Sequence, residues 1–235
     1  MENLLKQIRE ELINLGDESV RKSSQKFFKE PIKAYGVKVP AIKSLTKSIL
    51  KDLQKESKEN IFKFCEVLWA SGYFEESIIA CDLAYSQRKK FEKTDFKIFE
   101  KWISCCVDNW ASCDTFCNNT VGSFLLMYPE YVSDLKKWGT DENRWMRRAA
   151  SVSFIVPARK GKYVNEIMEI AELQLSDKDD LVQKGYGWAL KVASKTHENT
   201  VFNFVMQNKL QMPRTAFRYA IENMSAELKA RAMAK

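Results

Sequence analysis

The stretch Trp145-Met146-Arg147-Arg148-Ala149 can be laid on Leu181-Val182-Gln183-Lys184-Gly185 and again on Gln211-Met212-Pro213-Arg214-Thr215. Each copy places a basic residue and then a small one in the first turns of a segment with helical periodicity. Arg148 and Lys184 are 36 residues apart, and Lys184 and Arg214 are 30 apart, a span that suits helix-pair repeats. Stacked helix pairs bring equivalent positions of successive repeats onto one surface. The spacing therefore predicts an all-α chain, a superhelical solenoid of antiparallel helix pairs, with a ladder of basic residues along one curved face.

The rest of the chain agrees. Apolar residues recur with the helical period, alternating β-branched runs are scarce, and only 8 Gly and 5 Pro punctuate 235 residues. Pro129 and Pro213 stand at first helical positions, and the connector Ser176-Asp177-Lys178-Asp179 supplies N-cap residues. The pattern predicts uninterrupted helices over 110–127, 129–137 and 142–154, among others, in a single helical-repeat domain covering residues 1–235.

A hydrophobic content of 45% can fill a sizeable core, and 29% charged residues keep the surface wet. No apolar run approaches the roughly 20 residues of a membrane span. The start Met1-Glu2-Asn3-Leu4-Leu5-Lys6 lacks the basic-then-apolar order of a secretory signal, so a cytoplasmic location is expected. The six cysteines lie mostly in apolar helical stretches, which predicts reduced core thiols. Cys105, Cys106, Cys113 and Cys117 are close enough to raise a metal cluster, but no CxxC pair occurs and the only histidine, His197, is far away. No metal is expected. The lack of histidine also disfavours Ser-His and Cys-His nucleophile systems.

In Asp108-Asn109-Trp110-Ala111-Ser112-Cys113-Asp114, Trp110 and Asp114 are four residues apart, so a helix sets an aromatic face beside a carboxylate. Asp114 interrupts the apolar stripe Trp110, Cys113, Cys117 and Val121. An acid facing a core needs either a structural partner or a task, and the sequence leaves both open. The formal net charge is +7, and its distribution is clustered: Arg144, Arg147 and Arg148, then Lys184, then Arg214 and Arg218. A ladder of cations suits a phosphate backbone, with helix N-termini adding N–H donors; a solvated basic face is the plainer alternative. Trp188 follows Lys184 by one turn and shares its face. Gly185 and Gly187, inside the same helix, imply either tight helix packing or room for a ligand.

Taken in order, Asn109-Trp110 through Asp114, Asn143-Arg144-Trp145-Met146-Arg147-Arg148-Ala149-Ala150, and Gln183-Lys184 through Gly187-Trp188-Ala189-Leu190 resemble the signature segments of the AlkD-type DNA alkylpurine glycosylases, the DNA alkylation repair family built from HEAT-like repeats. Phe27-Phe28 through Tyr35-Gly36-Val37-Lys38-Val39-Pro40 is similar to that family's N-terminal stretch, and the resemblance runs roughly from residue 20 to 222. It implies a HEAT-like domain that hydrolyses the N-glycosidic bond of cationic N3- or N7-alkylated purines. The implied partner is double-stranded DNA carrying such purines, with no cofactor and no obligate protein partner. Residue by residue, it makes Asp114 the catalytic carboxylate, Trp110 and Trp188 the aromatic pair flanking the lesion's sugar, and Arg148 the cation beside phosphate and carboxylate. Arg144, Arg147, Lys184, Arg214 and Arg218, with Phe27 and Phe28, become the DNA contacts. The chain departs from the family where members often carry a Tyr and it offers Phe27 or Phe28, so a hydroxyl contact is absent.

The chemistry suits a chain with one histidine. An alkylated purine is already cationic and leaves without protonation, so no general acid is required. A fixed carboxylate stabilises the positive charge growing on the sugar and orients the attacking water, and tryptophan faces attract the same cation. No lysine adjoins Asp114 in sequence, which favours a monofunctional glycosylase over a lyase. Two other readings remain open: a non-catalytic binder of damaged or branched DNA, which shares the ladder without needing Asp114, and a protein-binding scaffold whose tryptophans are core.

Overall fold

A computed structural model describes residues 1–234; among these the regular structure is all-helical apart from one isolated bridge between Lys33 and Tyr73. The chain forms two compact units, Met1–Phe116 and Cys117–Lys235. The first contains α1 (Glu2–Leu15), α2 (Glu18–Gln25), α3 (Val39–Asp52), α4 (Lys58–Ala70), α5 (Phe74–Ser86), α6 (Asp95–Cys105) and α7 (Trp110–Phe116). Its centre is α5, whose run Ser77-Ile78-Ile79-Ala80-Cys81 is buried all round because it carries no polar face. Helix α5 packs on α4 and also contacts α3 and α7.

The second unit contains α8 (Gly122–Met127), α9 (Leu135–Trp138), α10 (Arg144–Val152), α11 (Ile155–Arg159), α12 (Val164–Leu173), α13 (Asp180–Ala193), α14 (Glu198–Gln207), α15 (Arg214–Ile221) and α16 (Ala226–Met233). Helix α10 packs on α13 and α13 on α15, with α12 and α14 against them. The three related segments thus fall on three successive stacked helices, as their spacing predicts. Gly187 is what lets α13 approach α15: a Cβ there would lie 2.9 Å from both the Ala216 carbonyl oxygen and Tyr219 Cβ. Gly185 faces the Arg148 side chain, with Cγ at 3.4 Å from such a Cβ. Close packing thus requires the glycine at 187, whereas a Cβ at 185 would meet only ordinary contacts.

Three expected helices are broken. Residues 110–127 divide into α7, a five-residue π turn (Cys117–Val121) and α8. Residues 129–137 begin with a 3-10 stretch, Pro129–Asp134, before α9. The helix expected over 142–154 stops at Val152, and α11 restarts at Ile155, which puts Pro157 in a first turn where its missing N–H costs nothing. Of the cysteines, Cys65, Cys81, Cys113 and Cys117 are buried as expected, but Cys105 is exposed and Cys106 half-buried, because they end α6 at a surface turn. Among the described residues no three His, Cys, Asp or Glu side chains form a metal-ligating group. No described helix is long and apolar enough to cross a membrane.

Candidate functional site

In the first unit the site is built on the start of α7. The Asn109 carbonyl oxygen Oδ1 accepts the Ser112 N–H at 2.9 Å, and Asn109 Nδ2 donates to Asp108 Oδ1 at 2.7 Å. This cap satisfies one of the helix's free donors and fixes where α7 begins. Trp110 is therefore its first residue and Asp114 lies one turn on. Both are half-buried while Cys113 and Phe116 are fully buried. Asp114 thus interrupts a stripe that is fully buried at Cys113, Cys117 and Val121 and is itself only half-buried.

A stacked ring and a backbone carbonyl hold Trp110. Its Nε1 donates to the Phe27 carbonyl oxygen at 3.1 Å. The Phe28 ring stacks on it with centroids 5.6 Å apart and planes 24° apart, and meets Phe74 edge-on at 5.6 Å. Phe28 is thus the aromatic over the tryptophan, whereas the Phe27 side chain is 74% exposed.

The loop carrying these residues is clamped by the start of α5. Glu75 accepts the N–H groups of Tyr35 (3.0 Å), Gly36 (2.8 Å) and Val37 (3.0 Å), and the Phe74 N–H donates to the Lys33 carbonyl at 2.8 Å. Gly36 has φ 88°, a left-handed conformation that a side chain resists. Glu76 takes two hydrogen bonds from Arg9, each 3.1 Å, and one from the Tyr35 hydroxyl at 2.8 Å. Burial and the Glu76 carboxylate push the Tyr35 phenol well above its usual range. Both glutamates are essentially inaccessible. Phe74, Glu75 and Glu76 escaped the sequence reading, although two adjacent acids opening an apolar run are the kind of anomaly that marked Asp114.

The second unit holds the other predicted residues. Arg148, 5% exposed, donates to the Leu181 carbonyl within the first turn of α13. Arg144 pairs with Asp179 (Nε to Oδ2 2.8 Å) and lies over the Trp145 ring at 5.0 Å. Arg147 pairs with Asp177 at 2.6 Å and also donates to the carbonyls of Asp141 and Glu142 at 2.9 and 2.8 Å. Lys184 pairs with Asp180 at 3.1 Å. Trp188, one turn further along α13, is half-buried. Arg214 and Arg218 stand apart on α15, exposed, beside a groove of about 460 Å³ lined also by Leu210, Phe217 and Met233. The stacked helices α10, α13 and α15 carry the basic residues, yet four of the cations are already engaged. The segment Ser176-Asp177-Lys178-Asp179 was read as capping residues; its aspartates also bind the arginines of α10.

The pattern of the DNA alkylation repair enzyme family matches residues 8–224. The chain belongs to that family. It is similar in structure to a predicted DNA alkylation repair enzyme from Enterococcus faecalis, at 19% identity and a TM-score of 0.80, over 90% of this chain and 97% of that one. A second solved structure, smu.31 from Streptococcus mutans UA159, matches at 21% identity and a TM-score of 0.61, over 79% of this chain and 94% of the other. Both likenesses speak for the fold. Among curated proteins none matches the chain significantly.

Proposed function

We propose that this chain is a monofunctional DNA N-glycosylase that releases cationic N3- or N7-alkylated purines from duplex DNA. The observation that carries the reading is Trp110 and Asp114, both half-buried and one turn apart on α7, with Phe28 stacked on the tryptophan. Asp114 is half-buried, and in this reading its carboxylate opposes the cation that grows on the deoxyribose as the C1′–N bond lengthens. It can also accept a proton from the attacking water. The indole Nε1 is committed to the Phe27 carbonyl, so the ring is fixed and offers its face to a cationic sugar, an attraction of about 0.5–2 kcal/mol. In this reading Trp188 supplies a second aromatic face. Arg148, held by the Leu181 carbonyl, acts as a fixed positive charge toward the adjoining phosphate. Arg144, Arg147, Lys184, Arg214 and Arg218 serve the backbone. The leaving purine needs no protonation, so the reading requires neither histidine nor cofactor.

Incubation with N-methylated duplex DNA, with and without EDTA, followed by chromatography of released bases, tests it. Release of N3-methyladenine or N7-methylguanine that is insensitive to EDTA is expected. Asp114→Asn keeps shape and hydrogen bonding but removes the charge, so single-turnover excision should fall by about 100-fold or more while duplex binding persists. Near-normal excision by a folded Asp114→Asn protein would leave the non-catalytic DNA binder as the better reading.

A further inference from the structure

We propose that the first unit carries a second contact for the phosphate backbone of duplex DNA, in a groove between α3 and α5, several base pairs from the lesion. The proposal rests on the glycosylase reading for its substrate and on separate residues for its site. Helix α5 is covered by α3, α4 and α7, and beyond its first turn only Asp82, Tyr85 and Ser86 remain half-accessible. This strip and α3 enclose a groove of about 240 Å³, lined by Lys43, Lys47, Asp82, Tyr85, Ser86 and Arg88 among others.

Its charge is unbalanced. Lys43 binds Asp82 at 2.6 Å, which leaves Lys47, exposed and in no ion pair among the described residues, and Arg88. The Arg88 guanidinium lies 4.5 Å from the centre of the Tyr85 ring, and Nη1 donates to the Tyr85 carbonyl at 3.4 Å. Among the described residues no carboxylate pairs with it. A planar cation stacked on an aromatic ring is pre-oriented, so its remaining N–H groups can take a phosphate oxygen with little loss of side-chain freedom. Lys89 and Lys90 follow at once and are exposed, widening the positive surface.

The groove's position gives it a partner. Helix α5 packs against both α3 and α7, and α7 carries Trp110 and Asp114. Packed helices are about 8–10 Å apart, which sets the groove roughly 15 Å from α7. At about 3.4 Å per base pair, that is on the order of four base pairs along a duplex. A backbone running past Asp114 and across α5 would meet Lys47 and Arg88 after that interval.

Binding is measured with the full chain, by fluorescence anisotropy across a salt series. One duplex extends about ten base pairs to each side of a single central stable abasic-site analogue, which fixes the register, and another is cut back to about three on one side or the other. Lys47→Ala/Arg88→Ala should bind the long duplex about ten-fold more weakly, with a salt slope shallower by about two, one for each lost phosphate contact. One of the cut-back duplexes should show no difference between variant and wild type. Asp82→Asn, which removes the carboxylate that lines the groove, should bind the long duplex a few-fold more tightly. Single-turnover excision at saturating protein should be unchanged in all of them. Unchanged affinity and slope in the double variant, or an equal loss on both cut-back duplexes, would overturn the groove. If the wild-type chain binds duplex but releases no base, the glycosylase reading fails while the variants still decide the groove; if it binds no duplex, both fall.

Discussion

In the first unit the carboxylates that organise the site are sealed from water, with Glu75 gripping three backbone N–H groups and Glu76 gripping Arg9 and Tyr35. In the second, Asp177, Asp179 and Asp180 sit at the rim, with 10%, 18% and 33% of their side-chain surface exposed, and hold Arg147, Arg144 and Lys184. The bonds are alike on paper. What differs is the medium. A buried carboxylate bonded to fixed N–H groups cannot exchange its partners for water, so it determines a single loop position. A rim carboxylate competes with solvent and salt, so its cation can be surrendered to a phosphate at small cost. In the proposed function one unit positions a reacting group, and the other grips a backbone it must also release.

The contrast is broken or kept most clearly at Glu75. Glu75→Ala leaves three N–H groups without a charged acceptor inside the first unit and should lower stability by about 3 kcal/mol or more. The loss is read as a lower urea midpoint. Tryptophan fluorescence should change as well, because Phe28 and the Phe27 carbonyl both depend on the clamped loop. A loss below roughly 1 kcal/mol would mean that water replaces the carboxylate, and the distinction between the units would disappear.

Packing gives the next largest effect. Gly187→Ala forces a methyl to 2.9 Å from the Ala216 carbonyl and Tyr219 Cβ, so α13 and α15 must separate, at about 1–3 kcal/mol. Gly185→Ala meets only a flexible arginine at 3.4 Å, and its gain in helix propensity of up to about 1 kcal/mol offsets the crowding. Thermal melts of the two variants should therefore diverge, with the Gly185 variant near wild type. Equal losses would show that Arg148 is as rigidly packed as the helix backbone.

These positions also mark what could be read from the residues. Helical periodicity gave the class, and the spacing of Arg148, Lys184 and Arg214 gave the stacking of α10, α13 and α15, because both are properties of local pattern. Trp110 and Asp114 were legible as a pair for the same reason, being four residues apart on one helix. Glu75 was not, since its partners lie 38 to 40 residues away and only the folded chain brings Tyr35–Val37 to the start of α5. The pairing of Arg144 with Asp179 and of Arg147 with Asp177 spans 35 and 30 residues. It was hidden likewise, so the basic face looked more positive in the sequence than it is in the fold. The π turn after α7 had no signal in the residues that we can identify.

Phe28→Ala removes a stacked ring from Trp110 and an edge contact from Phe74. Aromatic pairs contribute about 0.5–1.5 kcal/mol beyond area, so excision at saturating protein should drop several-fold, up to about ten-fold. Duplex affinity should hardly move, because no phosphate contact is lost. Phe27→Ala is the control: the exposed ring can go while its carbonyl still accepts from Trp110, and excision should hold. Were Phe27→Ala the more damaging change, the exposed ring would be the one that meets DNA.

The smallest effect tests the rim. Asp177→Asn and Asp179→Asn remove charge while preserving the local acceptors: Asp177 Oδ1 receives the Asp179 N–H at 2.8 Å, and Asp179 Oδ1 caps α13 through the Leu181 N–H at 2.8 Å. Asparagine caps a helix about as well as aspartate, so stability should fall by no more than about 1 kcal/mol per variant, in keeping with partly exposed ion pairs. Releasing Arg147 and Arg144 from their carboxylates should tighten duplex binding a few-fold at low salt. The gain should shrink as salt screens the surface charges, whose range falls to about 10 Å at 0.1 M. Equilibrium binding from low to moderate salt, beside urea titration of the same proteins, gives both numbers. A loss of more than about 2 kcal/mol with no gain in affinity would show that the rim aspartates are as integral as Glu75, and that the arginines of α10 belong to the fold before they belong to any ligand.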